Sequence, residues 1–164
     1  MTREEGFILK AIELSRKSVI NNEGGPFGCI IVKGNEIIGQ GNNKVTSTND
    51  PTAHAEIVAI RKACKTLETF YLTGCEIYTS CEPCPMCMGA IYWARIEKVY
   101  YAGNRNDATA SGFDDSFIYD EIMQPLDKRK IPMICIERNE ALKVFKLWMD
   151  KYDKVNYGCD DLVM

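Results

Sequence analysis

The sequence carries no basic excess: 20 Lys and Arg stand against 23 Asp and Glu, a net charge of −3. Proteins that bind nucleic acid by neutralising phosphates carry the opposite balance, because counterion release drives that association. Nucleic acid is therefore not expected as a partner. A long apolar run is missing too. The longest uncharged apolar stretch, Met86 to Ala94, falls far short of the ~20 residues a membrane span needs, so no membrane partner is expected either. The opening MTREEGF has two acids and no apolar core, unlike a secretory leader, and the expectation is a soluble cytoplasmic protein. Internal repeats, low-complexity tracts and linkers are also lacking. The 164 residues thus read as a single domain over 1–164, within the ~100–200 residues usual for one and long enough to fold without a disulfide or metal.

There is only one histidine, His54, beside eight cysteines. Outside a secretory context that cysteine count favours metal binding, catalysis or burial over a disulfide framework. Cys29, Cys75 and Cys135 lie in apolar strand-like runs and Cys64 in an apolar helical stripe, positions expected for small buried hydrophobes. Cys159 lies near the C-terminus with no partner in view. Cys81, Cys84 and Cys87 remain.

Hydrophobic periodicity outlines the elements. Thr2-Arg3-Glu4-Glu5 is a capping-box pattern, opening a helix that runs to about Asn21 and stops at Gly24-Gly25-Pro26. Strands are expected at Phe27–Lys33 and Glu36–Gln40, joined by a Gly34-Asn35 turn as a β-hairpin. Asp50-Pro51 reads as an N-cap with proline at the first helical position, so a second helix is expected over Pro51–Leu67. Cys75–Thr79 is a strand, and Pro85–Arg95 is an almost wholly apolar and hence buried helix. Lys98–Ala102 is a strand, followed by a loop from Gly103 to Asp115 and a short helix over Ser116–Ile122. Ile131–Ile136 is expected as an edge strand, because Pro132 cannot donate to a ladder. A last helix from about Asn139 to Tyr152 should turn Leu142, Phe145, Trp148 and Met149 inward. Strands alternating with helices imply parallel pairing, right-handed crossovers and helices on both faces, a three-layer α/β/α sandwich.

The chemistry is concentrated in His54-Ala55-Glu56 and Pro83-Cys84-Pro85-Met86-Cys87, each at an expected helix start. Parallel crossover helices begin at one edge of a sheet, so the two starts can converge. Catalytic zinc takes three protein ligands of the His and Cys type, and helix N-termini favour thiolates. A carboxylate such as Glu56 beside activated water can take its proton and hand it to a leaving nitrogen. H-x-E with P-C-x-x-C is the pattern of zinc nucleobase deaminases. Taken singly, these signals have plainer readings. A lone histidine is commonly structural, a bare C-x-x-C can be redox-active or half of a structural site, and Cys81 could supply a fourth ligand. A structural site, however, has no need of an acid two residues from its histidine. The expected ligands are His54, Cys84 and Cys87, with Cys81 as strand-end packing.

With these residues the chain resembles the cytidine deaminase-like superfamily and, within it, the small bacterial-type guanine deaminases. Further shared segments are Gly25-Pro26-Phe27-Gly28, Asn49-Asp50-Pro51-Thr52-Ala53, Thr79-Ser80-Cys81-Glu82, Ala90-Ile91-Tyr92-Trp93-Ala94-Arg95 and Gly112-Phe113-Asp114-Asp115-Ser116-Phe117-Ile118-Tyr119. The resemblance implies a central mixed five-stranded sheet and one zinc ion per chain. It also implies attack of a zinc-bound hydroxide on C2 of guanine, giving xanthine and ammonia, with Glu56 shuttling protons. Asn43 would hydrogen-bond the base, Phe27 and Trp93 would form apolar walls, Ala55 would line the substrate site, and Asp115 would bind the guanine edge and assist protonation of the departing amine. Family members are homodimers that exchange a C-terminal segment, here about 139–164, and Tyr157 takes the position of the tyrosine that closes the partner's site. This chain differs by continuing to Met164. Competing readings are a deaminase of another base or nucleoside (guanosine, cytosine, tRNA adenosine) and a zinc-binding module without turnover.

Overall fold

Residues 1–158 are described in the computed structural model. The chain forms two compact units, Met1–Tyr119 and a second one from Asp120 onward.

The first unit opens with α1 (Arg3–Ile20), whose N-terminus carries the expected capping box: the Thr2 side chain accepts from the Glu5 amide, and the Glu5 carboxylate accepts from the Thr2 amide. Strands β1 (Gly28–Lys33) and β2 (Glu36–Asn42) follow as an antiparallel hairpin. Gly34 in its two-residue turn has φ +60°, a conformation L side chains rarely adopt. Next come a one-turn helix α2 (Val45–Thr48), then α3 (Ala55–Leu67), β3 (Cys75–Cys81), α4 (Pro85–Trp93), β4 (Lys98–Gly103), α5 (Arg105–Ala110) and the start of α6 (Ser116–Met123).

The sheet is mixed, in the order β2-β1-β3-β4, with β1 antiparallel to both neighbours and β3 parallel to β4. Among the described residues it has four strands, not the five expected. The missing one is Ile131–Ile136, which forms no ladder; Pro132 lacks the donor, and Ile131, Ile134 and Ile136 are 80, 81 and 80% exposed. Cys135, in that segment, is consequently exposed rather than buried, whereas Cys29 and Cys75 are buried as expected and Cys64 is half-buried.

Strand alternation divides the core between two faces. Ile30, Val32 and Tyr78 meet Phe7 of α1 on one face. Cys29, Ile31, Cys75 and Ile77 meet Ala55, Ala59 and Ala63 of α3 and Ile91 of α4 on the other. Helix α3 lies directly on β2 because both surfaces are nearly bare. A Cβ at Gly41 would sit 2.5 Å from the Ala55 carbonyl oxygen, and one at Gly39 2.5 Å from that of Ala59. This contact sets the height of the first turn of α3 above the sheet. Gly41→Ala is therefore expected to cost about 1–3 kcal/mol through overpacking and to lower zinc content as that turn shifts. Thermal unfolding and metal analysis check it; an unchanged melting temperature would show that α3 accommodates the methyl.

In the second unit, α6 ends, a 3-10 turn spans Leu126–Lys128, and α7 covers Arg138–Asp150. Leu142, Phe145, Trp148 and Met149 do not face inward as expected but are exposed. No helix among the described residues is long and apolar enough to cross a membrane.

Candidate active site

The start of α3 differs from the sequence expectation. Asp50 is not its N-cap. The Asp50 carboxylate accepts from the Thr52 amide at 2.8 Å and the Thr52 hydroxyl at 2.6 Å, closing a local turn, and the Ala53 carbonyl accepts from the Lys44 amide at 2.9 Å. The helix begins four residues later, with His54 as N-cap in an extended conformation. Cys84 occupies the same position on α4, also extended, with Pro85 in the first turn. Two N-cap residues thus project from two helix starts toward one point. His54 Nδ1 lies 3.5 Å from both Cys84 Sγ and Cys87 Sγ, and the three donor atoms fall within 4.8 Å of one another. One imidazole nitrogen and two sulfurs form the three-ligand set of a catalytic zinc site, so the residues present fit the ion.

The electrostatics treat the three ligands unequally, and the bond to Cys84, with burial, pushes the Cys87 thiol far above its ordinary value. Hydrogen bonding to Cys87, then to the His54 ring, pulls the Cys84 thiol down to about 4. The His54 ring is raised, chiefly by its bond to Cys84. Cys81, placed at the end of β3, is different: burial pushes it up to about 11, and its sulfur lies against the Asn104 carbonyl oxygen at 3.6 Å. It remains a thiol outside the three-atom group.

Glu56, in the first turn of α3, is buried, and burial raises its carboxyl above the usual range. Its Oε2 lies 3.4 Å from Cys87 Sγ, and its Oε1 accepts from the Thr79 hydroxyl at 3.0 Å. Thr79 is fully buried and follows Cys75 and Ile77 on the face of β3 that meets α3. A polar residue in an otherwise apolar buried alternation signals a partner, and that signal was available in the sequence although Thr79 was not singled out there. Thr79→Val is expected to lower kcat by about tenfold, because it leaves one carboxylate oxygen buried without a donor, while Thr79→Ser keeps most of the rate. Equal rates for both variants and the parent would remove the hydroxyl from the account.

A cavity of about 380 Å³ opens over this group. Of the residues expected to meet substrate, Phe27, Asn43 and Asp115 line it, together with His54, Glu56 and Cys84. Phe113 joins Phe27 edge-on, with ring centroids 5.0 Å apart. Asp114 and Asp115 have separate roles. Asp114, which also lines the cavity, accepts from the Ser116 amide at 2.9 Å, closing the turn before α6, and is lowered by hydrogen bonding to the Ser116 side chain and amide. Asp115 is left to the cavity, and burial raises it. Ala55 is fully buried in the core and is not among the lining residues. Trp93, at the end of α4, is 56% exposed and does not line the cavity. Tyr157 belongs to the second unit, where it meets Trp148 edge-on at 6.3 Å. Cys159 lies outside the described residues.

Among the lining residues that were not anticipated are Glu82 and Arg105. Glu82 accepts from the Arg105 amide at 3.1 Å, fixing the start of α5 in a stretch expected to be loop. The capping box of Asn104 and Asp107 was the legible sign of that helix.

A buried carboxylate beside a His-Cys-Cys group, at two converging helix starts above a mixed sheet, is the arrangement of a zinc-dependent deaminase. The chain belongs to the cytidine and deoxycytidylate deaminase zinc-binding family, whose characteristic region matches residues 1–103. It is 52% identical over 153 residues to a guanine deaminase from Bacillus subtilis, a match covering 93% of this chain and 98% of that protein. The X-ray structure of guanine deaminase from Bacillus subtilis superposes with a TM-score of 0.92 at 51% identity, over 94% of this chain and 98% of that one. A tRNA-specific adenosine deaminase from Aquifex aeolicus is 46% identical over 99 residues, 60% of this chain and 65% of that protein.

Proposed function

We propose that this chain is a guanine deaminase, hydrolysing guanine to xanthine and ammonia. The observation that carries the reading is the cavity itself: His54, Glu56 and Cys84 line it together with Asp115, whose carboxylate, unlike that of Asp114, closes no turn. Guanine presents N1–H and a 2-amino group, both donors, along one edge, and a carboxylate is an acceptor-only partner for such an edge. A base edge made only of acceptors is repelled.

His54, Cys84 and Cys87 hold one zinc ion, which supplies a Lewis acid that makes water nucleophilic near neutral pH. Glu56 takes the proton of the attacking water and delivers it to the departing nitrogen. Its burial and raised carboxyl suit a group that must hold a proton between the two transfers. Asp115 accepts from the guanine edge and assists protonation of the amine as it leaves. Asn43 hydrogen-bonds the base, and Phe27 and Phe113 enclose it. The enzyme belongs to cytoplasmic purine catabolism.

In the second unit the exposed side chains of Leu142, Phe145, Trp148 and Met149 form an apolar face larger than isolated surface residues explain. It supports a homodimer in which the C-terminal segment, from about residue 139 on, is exchanged and Tyr157 serves the partner's site.

Stripping zinc with a chelator and restoring it tests the reading. Guanine turnover should vanish and return with one zinc per chain. The second reading, tRNA adenosine deamination, is favoured by the match to the Aquifex aeolicus protein. A band shift with tRNA at low salt, together with inosine formation and no activity on guanine, would establish it instead.

A further inference from the structure

Asn43 is held in an unusual way. It is 6% exposed, and its Oδ1 accepts from two backbone amides, Gly25 at 3.3 Å and Val45 at 3.1 Å. Backbone N–H groups only donate, so the atom facing them must be the oxygen. The carboxamide orientation is therefore determined, and the Nδ2 group is the one left for the cavity that Asn43 lines. Its backbone is fixed too: the amide donates to the Phe27 carbonyl at 3.0 Å, and the carbonyl accepts from the buried Ser18 hydroxyl at 3.3 Å.

Residues 23 and 24 enforce this placement from outside the cavity. Gly24 leaves no room for a side chain, since a Cβ there would sit 2.3 Å from the Asn43 carbonyl oxygen and 2.6 Å from Oδ1. The Glu23 carboxylate accepts from Asn42 Nδ2 at 2.7 Å and from the Lys44 ammonium. Asn42 and Lys44 are the two neighbours of Asn43 in the chain. One carboxylate therefore brackets the residue on both sides, and it does so without lining the cavity. Lys44 holds the Glu23 carboxyl below the usual carboxylate range, which keeps the bracket charged through neutral and mildly acidic conditions.

We infer that Glu23 is a positioning residue for substrate: by tying Asn42 to Lys44 it holds the Asn43 carboxamide with its NH2 group toward the cavity, and it thereby selects a base with a hydrogen-bond acceptor at that point. The inference rests on the reading of Asn43 as a contact of the guanine base. It gives the site two walls of opposite polarity, a donor at Asn43 and an acceptor at Asp115, so that a purine is accepted in one orientation.

A double-mutant cycle on the zinc-loaded full chain tests it, with ammonia release from guanine as the readout and thermal unfolding and zinc content measured on each variant. Glu23→Ala should raise KM about tenfold with kcat within about threefold, the pattern of lost ground-state binding. In the Asn43→Ala background the same change should add less than about twofold, because residues that act through one another are not additive. Glu23→Gln, which can still accept from Asn42 and Lys44, should restore KM to within about threefold of the parent. A purely structural role would lower the melting temperature and leave KM in place. An unchanged KM in Glu23→Ala, or equal increments in both backgrounds, would overturn the bracket. An unchanged KM in Asn43→Ala would overturn the base contact on which the bracket rests.

Discussion

Glu56→Gln is expected to reduce guanine turnover by about 10³-fold or more, in the upper part of the range that positioned proton transfer supplies, with zinc still at one per chain. The carboxamide keeps the shape of the side chain and an oxygen for the Thr79 hydroxyl, now 3.0 Å from Glu56 Oε1, so the fold has no reason to change. It cannot, however, carry a proton from water to the leaving nitrogen. Metal analysis and melting temperature, run beside the rate, separate loss of chemistry from loss of structure. A variant that keeps its zinc and most of its rate would remove Glu56 from the proton path. Glu56→Ala should give the same kinetic result with a lower melting temperature, because it also leaves the buried Thr79 hydroxyl without its acceptor.

Asp115→Asn should lower kcat/KM for guanine by about 10²-fold, since hydrogen bonds to a charged group contribute about 1.5–3 kcal/mol and any help in protonating the amine is lost with them. Zinc and stability should be untouched, because the turn before α6 is closed by Asp114 and not by Asp115. The contrast between the neighbours sharpens the test. Asp114→Asn keeps an oxygen for the Ser116 amide and should retain most of the activity. If Asp114→Asn is the crippled variant and Asp115→Asn is active, base recognition has been assigned to the wrong aspartate.

Much of this site was legible before the structure. The spacing of His54, Glu56, Cys84 and Cys87 named the metal group, because each residue stood beside a helix-start signal and helix starts in such a sheet converge. What spacing did not show was why they converge so closely. Asp50-Pro51 has the composition of a helix N-cap, but Asp50 spends its carboxylate on Thr52, and His54 becomes the cap instead. An extended N-cap projects its side chain off the helix surface, so His54 and Glu56, two apart in the chain, still meet at one site. Thr79 carried a local sign, a polar residue in a buried apolar alternation, that does not say which residue it serves. Glu23 carried none, because it acts across a long stretch of chain and no local pattern records a partner 20 or so residues away. The fifth strand failed on composition alone: Ile131, Ile134 and Ile136 are apolar and β-branched, but propensity reports fitness for a half-buried pleated surface, and in the chain these three side chains are exposed. The same limit applies to α7, where Leu142, Phe145, Trp148 and Met149 form the stripe that their spacing implies, but an exposed one. Periodicity shows that such a face needs cover and leaves open what covers it.

Whether this cavity deaminates guanine is decided by ammonia release from guanine by the zinc-loaded protein, with guanosine, adenine and cytosine measured in parallel and xanthine identified as the product. Turnover of guanine, with the other three at or near background, is the predicted result. Turnover of another substrate with none on guanine would contradict it and reassign the pocket, and silence on all four in protein holding one zinc per chain would make the domain a zinc-binding module without this chemistry.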